Sequence, residues 1–169
     1  SEMDSSPAPN VSALSRQGRA NLAASIAEEV AQGAYGLAAP TGRPPQLVLI
    51  GTGSEVQTLE AAMNQLSDVR VQLVSMPCWE LFDEQTLEYK RSVLPPGVPI
   101  LAMEALSSEG WCKYAHAVIG MRSFGCSAPA KEVQKRFGFT PENAVQKARD
   151  LLKFYDNKPA PCLYDRADN

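Results

Sequence analysis

Alternation of apolar strand-like runs with helical patterns constrains this chain more than any other feature. Gln46 to Ile50 is a leucine and β-branched run too apolar to face water on either side. Gly51-Thr52-Gly53-Ser54 follows, and then apolar residues at Val56, Leu59, Ala62, Met63 and Leu66, the spacing of one helical face. Thr52 or Ser54 stands where a side chain caps that helix. Val69 to Val74 predicts a second strand, closed by Pro77, and Asp83 to Val93 a helix whose start Asp83 caps. Pro95-Pro96-Gly97 breaks the chain before strands at Ile100 to Glu104 and Ala115 to Met121. Two helices close the pattern, Pro129 to Phe137 and Pro141 to Phe154, each with proline in its first turn. Thr140 and Asn143 suit the amino end of the second, and Val145, Ala148, Leu151 and Leu152 form its apolar stripe.

Strands apolar on both faces and separated by helices imply a parallel sheet covered on both sides, with right-handed crossovers. A short strand at Ala34 to Ala38 pairs antiparallel at one edge. The expected fold is therefore α/β, a three-layer α/β/α arrangement around a mostly parallel five-stranded sheet with one antiparallel edge strand. Before it, Val11 to Gln17 forms a short strand and Asn21 to Ala31 a helix that Gly33 stops. Residues 1–10 are polar and punctuated by proline, a flexible lead-in, and residues 158–169 lose all periodicity, a loose tail. Ser1 in the place of an initiator methionine points to a trimmed fragment.

With 169 residues the chain is long enough for one domain with a sizeable core and short of two. A net charge of −3, with no Lys/Arg block, argues against nucleic acid or an anionic membrane as the main partner. No apolar run approaches the length of a membrane span, and no basic-then-apolar leader opens the chain. Cys78, Cys112, Cys126 and Cys162 lack the spacing of a zinc or redox motif, and read as buried or half-buried thiols of a reducing, cytoplasmic compartment.

Several residues carry the chemistry to be weighed. Gly51 to Val56 sits where a dinucleotide fingerprint would, but Val56 replaces the third glycine and no acid ends the second strand. It reads as a tight strand-to-helix turn, whose free amides can still hold a small anion. A free-standing regulatory or interaction module that binds a small anion there is the alternative function. Glu104 ends an apolar strand, where open α/β sheets place functional groups. Without a second acid or histidine near it in sequence, it reads as a cap on a helix beginning near Ser107 rather than as a general acid or base. Cys126, near a helix start, has no evident base and reads as part of a positioning loop. His116, the single histidine, lies in an apolar run and reads as packed and structural. Trp79, Trp111 and Tyr114 serve a core or a subunit interface equally well. Arg16, taken alone, is an exposed arginine whose fork suits a phosphate.

A series of short motifs falls in one order. It runs through Leu14-Ser15-Arg16-Gln17, Gly33-Ala34-Tyr35, the Gly51–Val56 turn and Ser75-Met76-Pro77. It continues through Met103-Glu104-Ala105, Gly110-Trp111, Lys113-Tyr114, Ser123–Ala130 and Phe137–Asn143. From Leu14 to Leu152 this order resembles the carboxy-terminal domain of transketolase. Transketolases move a two-carbon ketol unit from a ketose phosphate to an aldose phosphate, using thiamine diphosphate and a divalent metal, Mg2+ or Ca2+, in sites between two subunits. The resemblance implies a remnant of the pyrimidine-binding domain within residues 1–17, a linker helix over 18–33, the domain itself over 34–157 and the tail over 158–169. It implies as partners the other transketolase domains, a second subunit of a homodimer, and sugar phosphates.

In the family, the arginine of the Leu-Ser-Arg-Gln motif contacts the substrate phosphate, which makes Arg16 the one functional residue carried over. No catalytic, cofactor-binding or metal-binding residue of the family has a matching position here. The fragment alone is therefore expected to be inactive and to bind no cofactor.

Overall fold

The computed structural model of the protein describes residues 27–164. The expected Val11–Gln17 strand, Arg16 and residues 21–26 of the expected Asn21–Ala31 helix lie outside these residues; within the described part of that segment α1 spans Ala27–Val30. Five strands follow, β1 (Tyr35–Ala38), β2 (Leu47–Gly51), β3 (Val71–Ser75), β4 (Ile100–Ser107) and β5 (Ala117–Met121). Between and after them lie α2 (Glu55–Gln65), α3 (Trp79–Asp83), α4 (Leu87–Val93), α5 (Ala130–Phe137) and α6 (Pro141–Phe154). The strand order is β1-β3-β2-β4-β5, with β1 antiparallel to β3 and the other pairs parallel.

The period of two along each strand divides the core into two layers. Leu47, Leu49, Leu73, Leu101 and Met103 point to one face, where they pack with Val56, Leu59 and Leu66 of α2 and its flank and with Ala144, Ala148 and Leu151 of α6. Val48, Ile50, Val74, Ile100 and Ala102 point to the other, under Phe82, Val93, Leu94, Trp111 and Tyr114. All five residues of β2 are buried, as its run of sequence requires. The four aliphatic side chains of β2, Leu47 to Ile50, each contribute about 1.5–3 kcal/mol by their burial. The three-layer α/β/α architecture is thus the one the sequence implies.

The local signals hold in part. Thr140 Oγ1 accepts the Asn143 N–H at 3.3 Å and Pro141 opens α6, while the Asn143 side chain turns back to donate to the Gly138 carbonyl at 2.8 Å. Neither Thr52 nor Ser54 caps α2. The Thr52 hydroxyl donates across the sheet to the Met76 carbonyl, and the Ser54 hydroxyl donates to Glu55 Oε1 at 2.8 Å. A single helix from Asp83 is also not found. Asp83 closes α3, and a new helix starts at Leu87, where Thr86 Oγ1 accepts from the Tyr89 N–H at 3.2 Å.

The carboxylate of Asp83 instead receives Lys113 Nζ at 2.7 Å and the Tyr114 hydroxyl at 2.9 Å. Tyr114 and Trp111 are buried beside Phe82 and the half-buried Trp79, so Tyr114 and Trp111 belong to the core. His116 is structural: Nδ1 accepts the Ile100 N–H at 3.0 Å, which leaves Nε2–H to donate to the Pro161 carbonyl at 2.9 Å. The aperiodic stretch after Asn157 is fixed at least to Tyr164. Ala160 and Leu163 are buried, Ala160 bridges to Gly97, and the Tyr164 hydroxyl donates to the Leu94 carbonyl at 2.6 Å. The four cysteines are free; Cys78 and Cys162 are half-buried, but Cys112 and Cys126 are exposed, against the expectation of sheltered thiols.

Candidate functional site

From β2 the chain steps to β3 on one side, then returns to β4 on the other, which places the sheet's switch point between the carboxyl ends of β2 and β4. Open α/β sheets bind ligands in the crevice at such a point. Here it is formed by the Gly51–Glu55 turn and by Met103 and Glu104. The turn is tightly closed. Met76 N–H donates to the Gly51 carbonyl at 2.9 Å, and a Cβ on Gly51 would stand 2.9 Å from Leu59 Cδ1 and 3.3 Å from the Met103 carbonyl oxygen. Gly53 turns the chain at φ 61°.

The first turn of α2 offers little to an anion. Glu55 and Gln57 N–H groups donate to the Thr52 and Ser54 carbonyls at 3.3 Å. The Glu55 carboxylate stands at the helix start, where it complements the dipole an anion would otherwise use. Glu104, half-buried across the switch point, adds a second negative charge. The anion-binding module that the turn suggests is therefore disfavoured by the charges around it.

Glu104 is not the helix cap that the sequence suggests, because β4 runs on to Ser107 and no helix starts there. Its Oε1 accepts the Leu106 N–H at 3.2 Å. Burial first, and the neighbouring Glu55 charge second, raise its pKa above the usual carboxylate value. The folded state thus holds this proton more tightly than the unfolded chain. Its contribution is full below the unfolded value of about 4.5 and is lost as pH rises through the raised folded value. Glu104→Gln, which keeps the acceptor, is expected to raise the urea midpoint at pH 7, with the gain vanishing as pH falls through 4.5. A midpoint difference that is the same at both pH values would exclude this assignment.

The remaining candidates are scattered. Cys126 lies in an exposed loop after β5 and has no hydrogen-bonding partner among the described residues. The structure does not bring it to Glu104 as a nucleophile–base pair. Glu55 is the residue that sequence reasoning passed over. Its place as the first residue of a helix beginning at a strand end was the available signal, but its approach to Glu104 is a product of the β2–β4 pairing. Among the described residues no group of three His, Cys, Asp or Glu is placed to hold a metal ion, and no helix is long and apolar enough to cross a membrane.

The two carboxylates at the switch point also do not fit a diphosphate. No chemical step is therefore assigned to a diphosphate cofactor at this crevice.

Comparison with known proteins gives a uniform result. Residues 33–140 match the family described as transketolase-like TK C-terminal domain. The chain is similar to transketolase 1 of Candida albicans, 38% identical over 167 residues, covering 98% of this chain and 24% of that protein. It is similar to transketolase 1 of Saccharomyces cerevisiae, 41% identical over 155 residues, covering 90% and 22%. The chloroplastic transketolase of Solanum tuberosum is 41% identical over 150 residues, covering 85% and 20%. Among solved structures, transketolase from Leishmania mexicana aligns with a TM-score of 0.79 at 42% identity, over 87% of this chain and 22% of that one. A transketolase mutant from Pichia stipitis aligns with a TM-score of 0.84 at 36% identity, over 90% and 22%. The chain spans about a quarter or less of the length of each of these relatives.

Proposed function

The chain belongs to the transketolase family as its C-terminal domain, and from that premise we propose that it serves as the C-terminal domain of a longer transketolase polypeptide. That polypeptide moves a two-carbon ketol unit from a ketose phosphate to an aldose phosphate, as in the pentose phosphate pathway. It works as a cytoplasmic homodimer with thiamine diphosphate and Mg2+ or Ca2+ held outside this chain. The observation that carries the reading is the alignment of nearly all of this domain with only 22% of transketolase chains. The closed, acidic switch point supports an auxiliary role for this lobe.

The isolated chain is expected to be inactive. Supplied with thiamine diphosphate, magnesium, xylulose 5-phosphate and ribose 5-phosphate, it forms no sedoheptulose 7-phosphate, whereas the full polypeptide does. Turnover by the chain alone would overturn the reading.

Arg16 is proposed to clamp the substrate phosphate in the full polypeptide through charge-assisted hydrogen bonds. There, Arg16→Ala is expected to weaken use of phosphorylated sugars by about 1.5–3 kcal/mol in kcat/KM, with unphosphorylated sugars nearly unaffected. Equal losses for both substrate classes would remove the phosphate assignment.

A further inference from the structure

His116 joins three parts of the fold that meet at the amino end of the sheet. Its backbone N–H donates to the Ile100 carbonyl at 2.9 Å, and its ring atom Nδ1 accepts the Ile100 N–H at 3.0 Å. Nε2 stands 2.9 Å from the Pro161 carbonyl oxygen, in the segment that follows α6. The ring also meets Tyr155, just past the end of α6, edge to face at 5.4 Å between centroids. Segment 158–164 has two other anchors, the Ala160–Gly97 bridge and the Tyr164 hydroxyl on the Leu94 carbonyl.

These contacts fix the protonation state of the ring. A backbone N–H only donates and a carbonyl only accepts, so Nδ1 carries a lone pair and Nε2 the single proton. A second proton would go to Nδ1 and face the Ile100 N–H, donor against donor. The charged ring must turn away, and because one ring makes both bonds, the contact to Pro161 goes with it. Ile100 is 3% exposed, so the N–H it would free has little water to turn to. His116 is itself half-buried, within reach of a proton from solvent.

The titratable and charged groups around the ring belong to three stretches. After α6 comes Tyr155, in a groove it lines with Lys153, Asp156 and Lys158, and Lys158 Nζ stands 5.6 Å from the Tyr155 ring. The half-buried Cys162 follows Pro161, and Tyr114, held by Asp83, precedes His116 by two residues. Of these side-chain types only imidazole ordinarily changes charge between pH 5 and 8.

We propose that His116 is an acid-sensitive latch, holding segment 158–164 to the amino ends of β4 and β5 while its ring is neutral and releasing it when the ring is protonated. An unlatched ring takes its proton near the ordinary value of about 6.5, whereas the latched ring resists it. The latch therefore contributes in full above that value and is lost as pH falls toward the lower value of the latched ring. Glu104, whose raised pKa favours the folded state on acidification, acts with the opposite sign and lies further along β4.

Two measurements on the 169-residue chain test this. His116 is the single histidine, so one imidazole resonance follows its titration. Its midpoint is expected below about pH 5.5, and any higher midpoint would overturn the latch. Amide exchange supplies the second readout. Protection of the Ile100 and Ala160 N–H groups, corrected for the intrinsic pH dependence of exchange, is expected to fall about five- to tenfold from pH 7.5 to 5.5 while β2 keeps its own. An equal fall across the whole sheet, or no fall at Ala160, would overturn the proposal. His116→Asn keeps an acceptor for the Ile100 N–H and takes up no proton, so the fall is expected to vanish there. A fall of the same size in that variant would also overturn it.

Discussion

Gly33→Ala is expected to cost about 4 kcal/mol or more, a large part of the stability of a domain this size. Gly33 closes α1 at φ 81° and passes the chain into β1. Its carbonyl accepts the Cys78 N–H at 3.1 Å, so it lies directly against the start of α3. A Cβ there would stand 2.4 Å from the Cys78 carbonyl oxygen, 2.4 Å from the Phe82 nitrogen and 2.9 Å from the Leu81 carbonyl carbon. All three are backbone atoms, which cannot rotate aside. Relief requires α3 to move, and Phe82 of α3 is wholly buried under the sheet. Gly42→Ala supplies the control. Gly42 has φ 72°, and a Cβ added there meets nothing within 4 Å, so only the conformational cost of about 1–2 kcal/mol applies. Urea unfolding of the two variants separates the effects; equal losses would mean that the contact with α3 yields freely.

Tyr114→Ala is expected to destabilise by about 3–5 kcal/mol, the range for emptying an aromatic from a core. The ring lies 5.4 Å from Trp79, 6.1 Å from Phe82 and 6.4 Å from Trp111, centroid to centroid. Truncation opens a void among three rings that no neighbour can fill. It also strips Asp83 of the hydroxyl that donates to both of its oxygens. Tyr114→Phe divides the two contributions, because it keeps the ring and removes the donor, at about 1–3 kcal/mol. Burial and the bond to Asp83 hold the phenol's pKa well above its ordinary value, so the hydroxyl remains a donor at any pH at which the protein would be assayed. Equal losses for the two variants, measured by denaturant midpoints, would show that the ring packing contributes nothing.

The sheet was legible in the sequence wherever a strand is buried on both faces. Leu47 to Ile50 has no side that water could share, and this forces a covered parallel strand. Thr140 and Pro141 likewise fixed the start of α6, since a cap and its N1 proline act within one turn of chain. Asp83 misled for the opposite reason. Its residue type favours a helix start, but its carboxylate is claimed by Lys113 and Tyr114, some thirty residues away. Thr52 was drawn off in the same way by the Met76 carbonyl. The stretch after Asn157 had no period to read, because it is held by single contacts to Gly97, Leu94 and His116.

The candidate site divides along the same line. Short-range rules placed Glu104 at a strand end and Gly51–Glu55 in a strand-to-helix turn, and the motif order placed the whole domain in its family. Such signals are carried by residues within a few positions of one another, where backbone geometry alone sets the distances. Which acid meets Glu104 and which rings surround Tyr114 were decided by pairing between distant strands. Those outcomes depend on the register and layering of the assembled sheet, and no local pattern of the chain encodes a register.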